Sequence, residues 1–387
     1  KKNIFIMIFE ALFDFMDFTG WLLFSLTLLL LIDVVRNWRQ HSFPPGPWAV
    51  PFLGNVFTGV DFKTLEKKYG PVFSLRKGSE RIVFISGHKM VKEALVRQLD
   101  SFVDRPVVPL FHEVFKGIGL SNGYLWKQQR RFATNHLRHF GEGQKSLEKY
   151  IEVETNFLCD AFKEEQGRAF NPHYIITTAV SNIISSVLFG HRFEYSDQTF
   201  RRVLELDNEF VPRLQLYNAF PGLLKHLPGP HQTVLGNYQK IMTFLKKEVE
   251  KHQEEWNPDD PRDFIDVYLA EMEKKKKDPQ AGFNLETLQV CILDLIEAGT
   301  ESVATTLRWA LVYMMHYPEI QEKVQAEIDG VVGQSRQPTV ADRPNLPYTD
   351  AVIHETQRIG NIVPIGFPKM ATVKCTSYLY MTDINIS

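Results

Sequence analysis

Cysteine is scarce in this chain: there are three in 387 residues, Cys159, Cys291 and Cys375. Three cannot staple a chain of this size, which excludes a secreted disulfide scaffold. Net charge is equally scarce. Lys and Arg number 44 against 46 Asp and Glu, a formal net charge of −2. That balance argues against a nucleic-acid binder driven by bulk electrostatics. Charged residues are only 23% and apolar ones 44%, so the chain is not intrinsically disordered. Beyond Trp48 it holds no internal repeat and no long low-complexity tract. The length suggests two or three domains, or one large one. Residue 1 is Lys rather than Met, which reads as a sequence recorded without its true start.

What is present begins with Thr19 to Ile32, an apolar run with no charge. Phe15, Met16, Phe18, Val34 and Val35 extend it to the ~20 residues that span a bilayer. Asp17 and Asp33 flank it, where a charge costs least. A signal peptide would end in a small-residue cleavage site, and this run leads instead into Asp33 and Arg36. Residues 1–36 therefore read as an N-terminal membrane anchor. Arg36 and Arg39 follow the run while Glu10, Asp14 and Asp17 precede it, which orients the body to the cytosol against the weaker pull of Lys1 and Lys2. Residues 37–47 read as a basic, proline-rich hinge, because Pro44-Pro45-Gly46-Pro47 cannot continue a helix.

The body reads as mostly α with a small β-sheet. Val72–Leu75 and Ile82–Ile85 are short β-rich runs with Gly78-Ser79 between them, the pattern of a hairpin. Leu147, Ile151, Glu154, Leu158 and Phe162 fall on successive turns of one helix. Lys274 to Lys277 with Asp278-Pro279 reads as a solvated loop. The longest helix is expected from Asn284, a plausible N-cap, to about Tyr317, with Pro318 as its stop.

Three motifs could carry chemistry. Ala298-Gly299-Thr300-Glu301-Ser302 lies inside the long helix. Gly and a back-bonding Thr could open a groove there beside a hydroxyl and a carboxylate; close helix packing at a small residue explains the Gly equally well. Glu355 and Arg358 stand three apart on one helix face. Their default is a surface ion pair, but neighbours Ile353, Ile359, Ile362 and Val363 favour a buried structural one. Trp126 and Arg130, at i and i+4, could both donate to one anionic group. Lys127, Arg131, His136, Arg138 and His139 make the same helix basic, which suits either a solvated face or an acidic protein partner.

In this order, the anchor, the Pro-Pro-Gly-Pro hinge, W-x-x-x-R, A-G-T-E-S and E-x-x-R resemble a microsomal cytochrome P-450, a haem-thiolate monooxygenase. Longer strings, Leu307–Leu311, Tyr317–Val324, Gly360–Pro364, Trp256–Pro258 and Arg262–Asp266, resemble its second family, subfamily J. The likeness covers residues ~21 to ~373. It implies a cytochrome P-450 fold over 48–376 with haem as cofactor. Trp126, Arg130 and Arg105 would bond the haem propionates, and Lys369 would keep a further basic contact. Ala298 would border haem and substrate. Thr300 would steady oxygen and its waters, with Glu301 feeding protons. Residues about 107–120, 206–220 and 363–367 would line an apolar pocket. The implied substrates are lipophilic: arachidonate and other polyunsaturated fatty acids, epoxidised or hydroxylated, and xenobiotics. The implied partners are NADPH–cytochrome reductase, docking on the basic Trp126 helix, and cytochrome b5, at the endoplasmic reticulum membrane. No nucleic acid and no protein-ligated metal beyond the haem are implied.

The sequence departs from the family in two places. The haem-ligand loop F-x-x-G-x-x-x-C-x-G does not occur, and thiolate ligation is what drives oxygen splitting in this family. Cys375 follows Val373-Lys374 and lies outside any glycine-rich loop; Cys159 and Cys291 read as buried helical thiols. Residues 377–387 read as a divergent tail on a C-terminally truncated chain, in place of the segment completing the Glu355–Arg358 network. Such a chain is expected to fold poorly or bind haem weakly, and to act at most as a reductase-binding or membrane-bound interaction protein. The second departure is Glu297, where the family has an apolar or small residue. It either points into the pocket or packs beside Asp294, and would alter substrate polarity.

Overall fold

The computed structural model describes residues 17–37, 43–55, 59, 61–78, 80–110, 117–140, 145–208, 217–218, 221–371 and 377–382. Cys375, Arg39 and Ser79 lie outside them. As expected, the fold is mostly helical with a small sheet. The chain divides into two compact units, residues 1–103 with 365–385, and residues 104–364 with 386–387.

The first unit begins with α1 (Phe18–Arg36). Asp17 caps it, accepting from Gly20 N at 2.8 Å, and Arg36 in the last turn suits the helix dipole. None of its residues is buried, and its leucines point outward along the whole helix. It is long and apolar enough to cross a membrane. Asp33, which read as a tolerated end charge, is instead tied to the body. It pairs with Arg76 at 3.0 Å and accepts from Phe52 N at 3.0 Å. Both side chains are about nine-tenths buried, so removing either partner would strand a charge at a cost of about 3–5 kcal/mol.

After α2 (Phe62–Tyr69) come β1 (Val72–Lys77) and β2 (Glu80–Ser86), the expected antiparallel hairpin. Phe73 faces Phe84 in register and the rings stack at 5.2 Å. The proline strap is bonded to β1, since Ser74 N and Oγ donate to the carbonyls of Pro45 and Pro44. Gly54 (φ +72°) bridges to this edge, where a Cβ would lie 2.2 Å from the Arg76 carbonyl oxygen. The sheet is completed by β3 (Lys369–Met370) and β4 (Ser377–Thr382), in the order β1-β2-β4-β3. β4 runs parallel to β2 and antiparallel to β3, so the sheet is mixed. The residues that read as a divergent tail thus supply a central strand; Tyr378, Leu379 and Tyr380 suit one.

The second unit is helical: α3 (Gly123–Phe140), α4 (Lys145–Glu164), α5 (His173–Phe189), α6 (Gln198–Asn208), α7 (Pro230–Glu255), α8 (Phe264–Lys274), α9 (Leu285–His316), α10 (Pro318–Val331) and α11 (Pro347–Gly360). The long helix has its expected limits. The Asn284 side chain accepts from Thr287 N at 2.9 Å, and Pro318 both stops α9 and opens α10. Fully buried Phe200, Leu245, Phe264, Tyr268 and Leu288 bring α6, α7, α8 and α9 into one core. Ile176 and Val180 of α5 pack on Ala304 of α9. Glu327 of α10 caps α11 by accepting from Tyr348 N and Thr349 N at 2.9 and 2.7 Å.

Two buried polar clusters hold loops to this core. Glu154 accepts from Arg192 (2.9 Å) and Asn182 (3.1 Å), which explains a carboxylate on the inner face of α4. Leu158 shares that face, and Cys159, one residue on, is turned outward; it is exposed rather than buried as expected. In the second cluster His252 meets Asp263 at 2.9 Å, and Asp263 caps α8 at Asp266 N. Burial alone would lower the His252 pKa. The hydrogen bonds to Asp263 and the Glu248 carbonyl, with the charges of Asp263 and Asp266, outweigh it and raise the pKa above the ordinary 6.5. A raised folded-state pKa means stability that is complete below 6.5 and is lost as pH rises through the folded value. Thermal melts are expected to move down over that interval, and His252→Gln is expected to remove this part of the pH slope.

Candidate functional site

The W-x-x-x-R motif sits on α3. Trp126 is half-buried, and the Arg130 guanidinium lies 5.5 Å from its ring centroid, a cation–π contact. Arg105 reaches the same place from the preceding loop. Asn122 brackets it from both sides, accepting from Arg105 N at 2.7 Å and donating to its carbonyl at 2.8 Å. Burial and then the Arg130 charge lower the Arg105 pKa. Two guanidiniums near enough to repel, beside an indole, form a cradle for an anion. Sequence reasoning found Arg105, Trp126 and Arg130 but missed Asn122. It also missed Gln129, inside the motif yet buried. Gln129 accepts from the Tyr268 hydroxyl at 2.9 Å and donates to the Ala281 carbonyl at 3.0 Å, locking α3 to α8 and the loop before α9.

The second group lies at mid-helix on α9. The hydroxyl of Thr300 is buried and has no hydrogen-bond partner. It does not bond back to its own helix, contrary to expectation; Ser302 does so instead, to the Ala298 carbonyl at 2.7 Å. Ala298 is exposed. A Cβ on Gly299 would lie 2.8 Å from Ile184 Cδ1 of α5, so close packing accounts for this glycine. Glu301 is about half exposed and accepts from Arg308 (2.8 Å) and Thr305 (2.6 Å). Arg308 also contacts His173, whose pKa is lowered by burial and by that guanidinium.

One turn and more before Thr300, Asp294 does what no motif announced. Its Oδ2 accepts from Ile118 N (2.5 Å) and Gly119 N (3.0 Å), holding the 117–120 loop to α9. A Cβ on Gly117 would fall 2.3 Å from that oxygen, so a larger residue would displace the carboxylate. Burial pushes Asp294 up to about 6 against the pull of the two amides. Glu297 is half-buried on the same helix, and Tyr238 of α7 faces this acidic stretch. Burial, then the charges of Glu286, Asp294 and Glu297, push the tyrosine up to about 12.

The remaining expected residues are not drawn into these groups. Glu355 and Arg358 form a bidentate pair at 2.7 and 2.8 Å, but both are about half exposed. The buried pair inferred from the apolar neighbours is corrected to a surface one, because α11 turns Thr356 inward instead. Lys369 lies in β3 of the first unit, in register with Leu379. Of the expected pocket lining, Leu110 is wholly buried, Ile118 and Leu120 pack on the core, and Tyr217 stacks on His231 at 4.5 Å. Val363 and Phe367 are exposed, and residues 111–116, 209–216 and 219–220 lie outside the described ones.

The second unit is helical, the first carries a small mixed sheet and a long apolar N-terminal helix, and α3 presents Arg130 and Trp126 beside Arg105. Residues 44–377 match the family model described as Cytochrome P450, and the chain belongs to that family. It is 49% identical to cytochrome P450 2J2 of Homo sapiens over 369 residues, 92% of this chain and 73% of that protein. It is 47% identical to cytochrome P450 2J5 of Mus musculus over 90% of this chain and 72% of the relative. To cytochrome P450 2H2 of Gallus gallus it is 42% identical over 93% and 76%. The family is one of monooxygenases and its cofactor is haem. The residues present fit the carboxylate edge of that group at Arg105, Trp126 and Arg130. They do not supply its thiolate among the described residues. Cys159 faces outward. The Cys291 thiol points to Gln129 at 3.7 Å, and burial pushes its pKa well up. Among the described residues no His, Cys, Asp or Glu cluster could hold a metal ion.

For Asp294 a pKa raised from 3.8 to about 6 means stability contributed at low pH and lost as pH rises through about 6. Asp294→Asn keeps an acceptor without the charge and is expected to melt at or above the parent temperature near neutral pH, with that slope gone. Asp294→Ala strands both amides and is expected to cost about 2–3 kcal/mol by denaturant titration.

Proposed function

We propose that this chain is the body of a membrane-anchored monooxygenase acting on lipophilic molecules. Its substrates are polyunsaturated fatty acids such as arachidonate, hydroxylated or epoxidised, and lipophilic xenobiotics. Electrons come from NADPH–cytochrome reductase, with cytochrome b5 as a second donor. The anchor, residues 1–36, holds it in the endoplasmic reticulum membrane, with 37–47 as the hinge and 48–376 as the cytosolic catalytic body. The observation that carries this reading is the cradle of Arg105, Arg130 and Trp126.

Haem, when bound, would supply the activation of molecular oxygen. The chain's residues act around it. Arg105 and Arg130 would hold the haem propionates by charge-assisted hydrogen bonds, and the Trp126 ring keeps the Arg130 guanidinium in place. Thr300 carries an uncommitted hydroxyl in a dry part of α9, which can hold a water by donating or accepting. Glu301, one residue on, would pass protons toward that water, and Arg308 and Thr305 orient its carboxylate. Ala298 leaves room beside both. Glu297 adds a carboxylate near the apolar lining and biases it toward substrates with a polar end.

A second reading is favoured by the cysteines. The 387 residues hold no F-x-x-G-x-x-x-C-x-G string, and neither described cysteine is placed to bind iron. These residues on their own would then be a non-catalytic membrane chain that competes for the reductase. The two readings part on the reduced carbon monoxide spectrum and on haem per chain. A strong thiolate Soret band with arachidonate turnover supports the first; its absence, with reductase still bound, supports the second. Under the first reading Arg105→Ala with Arg130→Ala is expected to lower haem retention about tenfold or more, the worth of lost charge-assisted bonds. Retention of the chain in carbonate-washed membranes tests the anchor.

A further inference from the structure

We propose that His173 is a positioning residue for Glu301, acting through Arg308, and that a proton taken up by its ring releases the Glu301 carboxylate. The groups come from two helices of the second unit. His173 is the first residue of α5, and Glu301, Thr305 and Arg308 lie on successive turns of α9, on one side of it. The inference rests on the reading of Glu301 as the group that passes protons inward.

The Arg308 guanidinium is the centre of the arrangement. Its Nη2 donates to Glu301 Oε1 at 2.8 Å and to Thr305 Oγ1 at 2.6 Å. Thr305 Oγ1 donates in turn to the same carboxylate oxygen at 2.6 Å. Its Nε donates to the Ala304 carbonyl at 3.4 Å, and its Nη1 meets Nδ1 of His173. A guanidinium has donors only, so Nδ1 must accept, which puts the ring proton on Nε2. The guanidinium is planar and rigid, so a ring that holds one arm of it also fixes the other arm against Glu301. An imidazolium has no lone pair to offer. Once Nδ1 takes a proton, the bond from Arg308 is lost and two cations face each other. Arg308 then turns away, and the carboxylate loses the donor that orients it.

The surroundings keep the ring neutral at neutral pH. Burial, and then the Arg308 charge, lower the His173 pKa against the pull of Glu301. The first turn of a helix also disfavours a cation. From the other elements, α4 meets this part of α5 through apolar Leu158 and Phe162. Arg201 of α6 lies over the neighbouring Tyr174 ring at 4.5 Å and pairs with Glu205 at 3.0 Å. Asp263 of the α8 cap stands at Gly190, the opposite end of α5, and Glu355 and Arg358 of α11 pair with each other. The ring is only half-buried, so protons from bulk water reach it. A base with a depressed folded-state pKa contributes stability above its ordinary 6.5 and loses it as pH falls through the folded value. The clamp is therefore closed at neutral pH and opens on acidification.

The test has two arms, both on the full chain in detergent. In the first, the ring carbon resonance of His173, identified by its loss in His173→Gln, is titrated by NMR. Its midpoint is expected below 6.5, to move up in Arg308→Gln and to move further down in Glu301→Gln. A midpoint that ignores both substitutions overturns the proposal. In the second, product formed per NADPH consumed by haem-loaded chain is followed against pH. It is expected to fall about tenfold through the His173 midpoint, the worth of one charge-assisted hydrogen bond. His173→Gln keeps an acceptor for Arg308 and cannot take the proton, so it is expected to flatten that fall, and His173→Ala to lower the ratio at every pH. A parent-like fall in His173→Gln overturns the proposal. Absence of turnover at every pH counts against the reading of Glu301 as the proton supplier, and the ring titration then decides the clamp by itself.

Discussion

A helix of 32 residues, α9, runs about 48 Å through the second unit, and its burial constrains what surrounds it. From Thr287 to Ala304 it is buried at Leu288, Cys291, Ile292, Leu293, Ile296 and Thr300, so other elements must cover it. α5, α7, α10 and α11 pack on it. Gly299 lets Ile184 of α5 approach, and Asp294 draws in the 117–120 loop. Each polar group on that buried stretch then needs a local solution. Asn284 has the cap, Asp294 has two amides, and Thr300 has none.

Several buried carboxylates are paired with a cation. Asp33 has Arg76, Glu154 has Arg192 and Asp263 has His252. In each case an inward carboxylate fixes the position of a loop or helix end, because an unpaired charge there would be untenable. Arg105 and Arg130 are two cations near enough to interact, the first held at its backbone by Asn122 and the second set over the Trp126 ring.

Much of the fold was legible in the sequence for local reasons. The hairpin followed from two β-rich runs around Gly78, and α9 from Asn284 and Pro318 at its ends. The charge-free run before Asp33 marked α1. The motif residues Trp126 and Arg130 were found because i and i+4 must share a helix face. Errors came where a local pattern had two readings. Ile353 and Ile359 suggested that the Glu355–Arg358 pair was buried, yet the turn of α11 leaves both side chains half exposed. Cys159 was placed inside because free cysteines are usually buried, but it sits one residue past the inner stripe.

What the sequence by itself determined was the set of elements, the membrane-length helix and the family to which the chain belongs, because caps, periods and motif spacings are written within a few residues. What only the tertiary structure decided was partnership. Asp33 and Arg76 are 43 residues apart, Glu154 and Arg192 are 38 apart, and Asp294 reaches Ile118 across 176. Residues 377–382 read as a tail until they were seen beside β2. No local pattern carries such pairings. They arise when packing removes water from a charge or a strand edge, and the group must find its partner wherever the fold has brought one.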